Sequence, residues 1–264
     1  MSVKRFARVG AIMGAEEKVR LAVFADIHAN RQAFSACLAA ARARGAERII
    51  CLGDVVGYGA DPEWAVDTVM GLVDEGAIAV CGNHDNAVGT PSENMNAEAQ
   101  AAIEWTRGRL SAPQRKFLAE LPMMHQEDDR LYVHSEASNP ARWRYVLGTS
   151  EAARSLEATD AHVTLCGHIH RPALYSMSSA AKMTSFVPTT DVPVQLLGGR
   201  RWIAVVGSVG QPRDGNPAAA FAMLDTASRE ITWCRVPYDV ETAADRIRAN
   251  GLPHWLADRL LAGR

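Results

Sequence analysis

Five of the chain's eight histidines, His28, His84, His134, His168 and His170, come directly after short apolar runs. Asp26, Asp54, Asn83 and Asp85 share the same stretches. Imidazole nitrogens beside hard carboxylate and amide oxygens are the donors of a divalent transition-metal site. A single Asp or Asn at a strand end commonly caps a helix or closes a turn. That reading would have to hold by coincidence five times over, whereas convergence on one pocket explains all the blocks together.

The elements that must position these residues are legible around them. Val19 to Ala25 is a nearly unbroken apolar run, the pattern of a strand buried on both faces of a mostly parallel sheet. Asp26 and His28 follow, two apart and so on one side of the chain. Open α/β sheets put their ligands at that C-terminal edge. Residues 31–44 are alanine-rich and helix-prone, with Gly45 as a C-cap. A second unit runs from Arg48 to Asp54 into a helix opened by Pro62 and ending near Val73, and a third from Ala77 to Gly82. Three such units predict a parallel sheet with right-handed crossovers.

Helices are expected over 96–121, broken near Gly108 and restarted at an N-cap Ser111, and over 149–159. Strands are expected at 131–134 and 162–166. Residues 172–237 read as mostly antiparallel strands forming a second sheet packed on the first, and two helices separated by Gly251 close the chain. Residues 18–264 are expected to form one domain, and residues 1–17 a disordered leader, with Met13 as an alternative start.

A formal charge of -2 argues against a nucleic-acid or membrane partner. The apolar runs are strand-sized, too short for a transmembrane helix. The five cysteines form no CxxC pair, which suits buried reduced thiols in a cytoplasmic protein.

The blocks occur in a fixed order: Asp26-Ile-His28, Gly53-Asp54-Val-Val-Gly57, Gly82-Asn83-His84-Asp85, a lone His134, and Gly167-His168-Ile-His170. In this order the chain resembles the calcineurin-like metallophosphoesterases over roughly residues 19–240. The stretch from Gly207 to Gly215, GSVGQPRDG, looks like the bacterial small stand-alone phosphoesterases, a subgroup that includes diadenosine tetraphosphate hydrolase-like members. The resemblance implies an α/β fold, a four-layer αββα sandwich of two mixed sheets flanked by helices.

It also implies a two-metal centre. One metal would take Asp26, His28 and His170, the other Asn83, His134 and His168, with Asp54 bridging. Mixed N/O ligation of this kind favours Mn, Fe, Zn or Co over Ca or Mg. A water acidified by the metals is the expected nucleophile, acting in line, so no Ser or Cys nucleophile is required. His84 is the candidate to protonate the leaving oxygen or stabilise developing charge. Asp85 would orient the His84 ring, or cap the following segment. Asn30 would reach the site or start the helix, and Arg171 and Arg213 are candidate phosphate contacts. His125, His162 and His254 are assigned no role.

Two positions depart from the family pattern: Ser135-Glu136 follow the lone histidine where many relatives have Gly, and Val205-Val206 precede Gly207 where the subgroup has Asn-Pro. The expected substrate is a small phosphodiester or a nucleotide polyphosphate, because Asp85 replaces the Glu of the protein phosphatases. A phosphomonoesterase or phosphoprotein phosphatase is the alternative within the class. A non-catalytic scaffold on the same fold is the rival outside it, and a nuclease is disfavoured for want of a basic, aromatic-lined stripe.

Overall fold

The computed structural model describes residues 18–90 and 95–264, so the expected leader lies outside the described residues. The chain order begins β1 (Arg20–Phe24), α1 (Arg31–Ala43), β2 (Arg48–Cys51), α2 (Pro62–Asp74), β3 (Ile78–Ala79) and α3 (Asn83–Gly89). It continues with α4 (Ala97–Arg109), α5 (Ala112–Glu120), β4 (Met124–Glu127), β5 (Arg130–Val133), α6 (Thr149–Glu157) and β6 (Val163–Cys166). Then come β7 (Ala173–Ser178), β8 (Met183–Phe186), β9 (Val194–Gln195), β10 (Arg200–Val205), β11 (Ala219–Asp225), β12 (Glu230–Val236), α7 (Val240–Ala249) and α8 (His254–Ala262).

Two mixed six-stranded sheets result, ordered β3-β2-β1-β11-β12-β9 and β4-β5-β6-β10-β7-β8. Strands β1, β2 and β3 are parallel, as the three repeated units require. Alternation along β1 builds two cores at once. Leu21 and Val23 face Tyr132, Leu165, Leu174 and Trp202 of the other sheet. Ala22 and Phe24 face α1, where Phe24 meets Phe34 and Phe221 at ring separations of 5.6 and 5.1 Å. On the far side, Leu131, Val133, Ile203 and Val205 pack on Ala152 and Leu156 of α6. The layers are therefore helix, sheet, sheet, helix.

The expected second sheet is corrected in its membership. The strands of residues 172–237 divide: β7, β8 and β10 join β4–β6, while β9, β11 and β12 extend the first sheet. Strand β11 pairs antiparallel with β1, and its Phe221 completes the core under α1. The edge strands β4 and β8 carry mostly exposed residues and leave no apolar run to read. Ser111 does cap α5, in a reciprocal pair with Gln114. All five cysteines are buried and unpaired. Among the described residues, no helix is long and apolar enough to cross a membrane.

Candidate metal centre

The chemistry-bearing residues gather where both sheets end. Asp26 and His28 follow β1, Asp54 follows β2, Asn83 opens α3 after β3, His134 follows β5, and His168 and His170 follow β6. Adjacent loops are laced together: the amides of Asp26 and His28 donate to the carbonyls of Gly53 and Asp54 at 3.1 and 2.9 Å. The His168 amide donates across the sheet boundary to Asp26 Oδ2 at 3.0 Å. Asp26, His28, Asp54, His168 and His170 all have φ between 49° and 71°. Left-handed backbone is uncommon outside glycine, though Asp and His tolerate it better than most, and such strain concentrates at functional sites. Gly82 is required by proximity, because a Cβ there would lie 2.1 Å from Asp54 Oδ1.

Each of four imidazoles has one nitrogen committed to a backbone carbonyl. His28 Nδ1 donates to Val56 at 3.1 Å, His170 Nδ1 to Gln211 at 2.6 Å, His134 Nδ1 to Leu52 at 2.8 Å, and His168 Nε2 to Trp143 at 2.8 Å. A carbonyl only accepts, so these bonds fix the tautomers and turn the remaining nitrogens inward. There His28 Nε2 meets His170 Nε2 at 3.1 Å, and His134 Nε2 meets His168 Nδ1 at 3.0 Å.

Charge follows from burial and from Asp54. Burial pushes His28 and His170 well below the usual imidazole range and His168 down to about 3, leaving lone pairs free. Burial works against a charged His134 too, but the Asp54 carboxylate beside it prevails and holds it at about 9. Burial likewise opposes ionisation of Asp54, yet His134 and His84 keep its carboxyl well below the ordinary value. Asp26 is pushed up to about 7, by burial first and with the Asp54 charge adding.

The donors form two groups that share one residue: Asp26, His28, Asp54 and His170, and then Asp54, His134 and His168, with donor atoms within 4.8 Å of one another in each group. Asn83 Oδ1 joins the second group, 3.2 Å from His134 Nε2. Asp54 Oδ2 is buried with no hydrogen bond, although it stands 3.3 Å from His134 Nε2 and 3.6 Å from His28 Nε2. Facing nitrogens about 3 Å apart suit neighbouring ligands of one ion bound at about 2.0–2.1 Å. The orphaned oxygen between the two groups suits a shared ligand, so the residues fit metal.

Not every expected site residue converges in that way. His84 is buried with Nδ1 unpartnered, its ring 4.9 Å from that of His28. Burial lowers it to about 4, so it is neutral near pH 7. Asp85 does not orient it. Its two oxygens accept from the amides of Val56 and Gly82 at 3.2 and 3.0 Å, which is the capping alternative. Asn30 caps α1 through Ala33 and donates to Gly210 and Tyr238 rather than entering the centre. Arg171 is exposed and donates to the Arg213 carbonyl. Arg213 lies closer, its amide donating to the His170 carbonyl at 3.1 Å.

Four neighbours carried no readable signal. Tyr58 packs its ring 4.5 Å from both His28 and His84; only its position after Gly57 could have hinted at this. Tyr145 stacks on His168 at 4.2 Å, and Trp143 acts through its carbonyl, which any residue possesses. Gln211 acts on His170 in the same way. The departure at Ser135-Glu136 also finds its reason here. Ser135 Oγ donates to the Pro140 carbonyl, while the buried Glu136 accepts from Ser138 N and Oγ at 2.7 Å each. Together they shape the turn that delivers the Trp143 carbonyl to His168. Val205 and Val206 are simply buried, the Val205 carbonyl accepting from Trp233 Nε1.

Comparison with known proteins agrees with this geometry. Residues 19–229 match the calcineurin-like phosphoesterase superfamily domain. An uncharacterized protein of Methanocaldococcus jannaschii is 32% identical over 253 residues, covering 94% of this chain and 99% of that one. The crystal structure of a metallophosphoesterase from Sphaerobacter thermophilus superposes with a TM-score of 0.83 at 32% identity, covering 94% of this chain and all of that one. A hypothetical protein from Pyrococcus horikoshii shares the fold, with a TM-score of 0.75 at 19% identity over 93% of this chain and 99% of its own. The chain belongs to the calcineurin-like phosphoesterase superfamily and is a metal-dependent phosphoester hydrolase.

Proposed function

We propose that the chain is a binuclear hydrolase of phosphodiesters or nucleotide polyphosphates. Asp26, His28 and His170 would hold one metal, Asn83, His134 and His168 the other, and Asp54 would bridge them. The observation that carries this is the unpartnered Asp54 Oδ2 between the two donor groups. When bound, such a metal pair clamps the entering and leaving oxygens of an in-line displacement and draws the pKa of a water from 15.7 toward about 7. Mn, Fe, Zn and Co all suit the donor set.

The chain's own residues prepare the rest. Backbone carbonyls of Val56, Leu52, Trp143 and Gln211 hold the four rings so that none needs to turn when an ion enters. His84 is neutral before substrate arrives and is suited to donate a hydrogen bond to the charge that develops on phosphorus oxygens. Passing a proton to the leaving oxygen would require that charge first to raise its basicity. The retention of every donor, and of His84, favours turnover over a scaffold role.

We read residues 18–264 as one domain, since the centre draws ligands from both sheets. Five buried free thiols favour a reducing compartment, the cytoplasm. The test is an assay of Mn-loaded protein on bis-p-nitrophenyl phosphate and on a dinucleoside polyphosphate. Turnover of either supports the proposal; none, with metal bound, supports the scaffold.

A further inference from the structure

The turn that delivers the Trp143 carbonyl to His168 also lays two aromatic rings on the second donor group. The Trp143 ring stands edge-on to His134 with centres 6.1 Å apart, and the Tyr145 ring lies nearly parallel to His168, at 4.2 Å and 16°. The backbone that carries them is pinned along its length. Trp143, with φ of 51°, gives its carbonyl to His168 Nε2, Arg144 gives its carbonyl to the Glu136 amide, and Val146 is buried in the core under α6. Tyr145 is thus held in place although it is 44% exposed.

Exposure separates this ring from the others around the centre. Tyr58, packed on His28 and His84, is only 7% exposed. Tyr145 spends one face on His168, and among the described residues no other ring and no guanidinium stacks on it. Leu147, beyond the buried Val146, is 71% exposed and leaves a second apolar side chain in water. A ring needed only to steady His168 would be redundant, because the Trp143 carbonyl already fixes that imidazole. Leaving it half open to solvent also forgoes the gain from burying it. His168 Nδ1 points into the donor group, 3.0 Å from His134 Nε2. The Tyr145 ring therefore adjoins a ligand of the centre, within reach of a group esterified to a phosphate held there.

We propose that Tyr145 is a specificity-determining residue whose open ring takes a planar aromatic group of the substrate, a nucleobase or an aryl ester, so that the centre favours aromatic esters over aliphatic ones. This rests on the hydrolase reading above and narrows its substrate class.

The test is calorimetric binding of two pairs of anions to Mn-loaded wild type, Tyr145→Ala and Tyr145→Phe. Adenosine 5′-monophosphate is paired with ribose 5-phosphate, and phenylphosphonate with methylphosphonate, so that each pair shares its anion and differs in the ring. A change in metal or phosphate binding moves both members of a pair alike, so a purely structural Tyr145 leaves both affinity ratios untouched. Tyr145→Ala should lower the preference for the aromatic member about tenfold in at least one pair, and Tyr145→Phe should keep it. The pair that moves tells nucleobase from aryl. Ratios within twofold of wild type in both pairs overturn the proposal, as does a wild type with no aromatic preference in either. Tyr145→Leu, which keeps apolar bulk without a π face, gives the same comparison should Tyr145→Ala fail to fold. Turnover of bis-p-nitrophenyl phosphate by wild type is scored separately. Its absence with metals bound strikes the hydrolase reading alone, and the affinity ratios still decide the stacking role.

Discussion

Asp54 Oδ2 stands 3.3 Å from Nε2 of His134, an anion beside an imidazolium, both fully buried. Asp54 also accepts from the His84 amide through Oδ1 at 2.9 Å, so its two oxygens have separate duties. Asp54→Asn keeps the acceptor for His84 and removes the shared anionic ligand. Metal content and turnover should fall together, turnover by more than about 100-fold, given that even residues behind the ligands cost 10–100-fold. Elemental analysis alongside the ester assay checks this; full metal content in the variant would refute the bridge.

His84→Ala should lower turnover by about 10²–10⁴-fold while metal content stays at the wild-type level. Unchanged turnover with metals in place would remove His84 from the reaction.

Gly57→Ala should imitate that loss from a distance. Gly57 has φ of +90°, and a Cβ there would lie 2.3 Å from His84 Nδ1, so the ring must move. Turnover should drop while metal binding persists, with stability lowered as well because alanine is strained at that φ. Melting temperature and kcat measured on one sample separate the two effects.

Metal uptake should release protons. Without metal, His134 is held at about 9 and Asp26 at about 7, so near pH 7 the first is protonated and the second partly so. Ligands must lose their protons to bind, and affinity should therefore climb as pH rises from about 6 to about 9. Calorimetry in buffers of different ionisation enthalpy gives the proton count; a count of zero near pH 7 would rule these two residues out as ligands.

Glu136→Ala should weaken metal binding without touching a ligand. The carboxylate accepts from Ser138 N and Oγ and stands 3.8 Å from Arg144 Nη1, so the turn carrying Trp143 depends on it. Loss of the Trp143 carbonyl from His168 should cost about 10–100-fold in affinity for one of the two ions. Metal titration showing two unchanged affinities would make the role of Glu136 purely structural.

How far this was legible depended on the range of the signal. Asp26-x-His28 and Gly-Asn83-His84 announce themselves because a strand end and its turn lie within a few residues of the donor. The three parallel units were readable for the same reason. The insertion of β11 beside β1 was not, because strand pairing across some 200 residues leaves no local trace; β1 and β11 look equally apolar wherever they pair. Trp143 and Gln211 were hidden since a carbonyl accepts whatever side chain it carries. For Asp85 the sequence allows both orienting His84 and capping, and only the fold assigns its carboxylate to the backbone amides of Val56 and Gly82.

The bond from the His168 amide to Asp26 joins loops that belong to different sheets, and the donor groups straddle the same boundary. Either half of the sandwich alone carries an incomplete set of ligands. Retained metal is thus a gauge of whether the two halves have docked. Chelation should loosen that seam before it disturbs either sheet, and hydrogen exchange at the amides of residues 26 and 168 should quicken ahead of those inside β1 or β6.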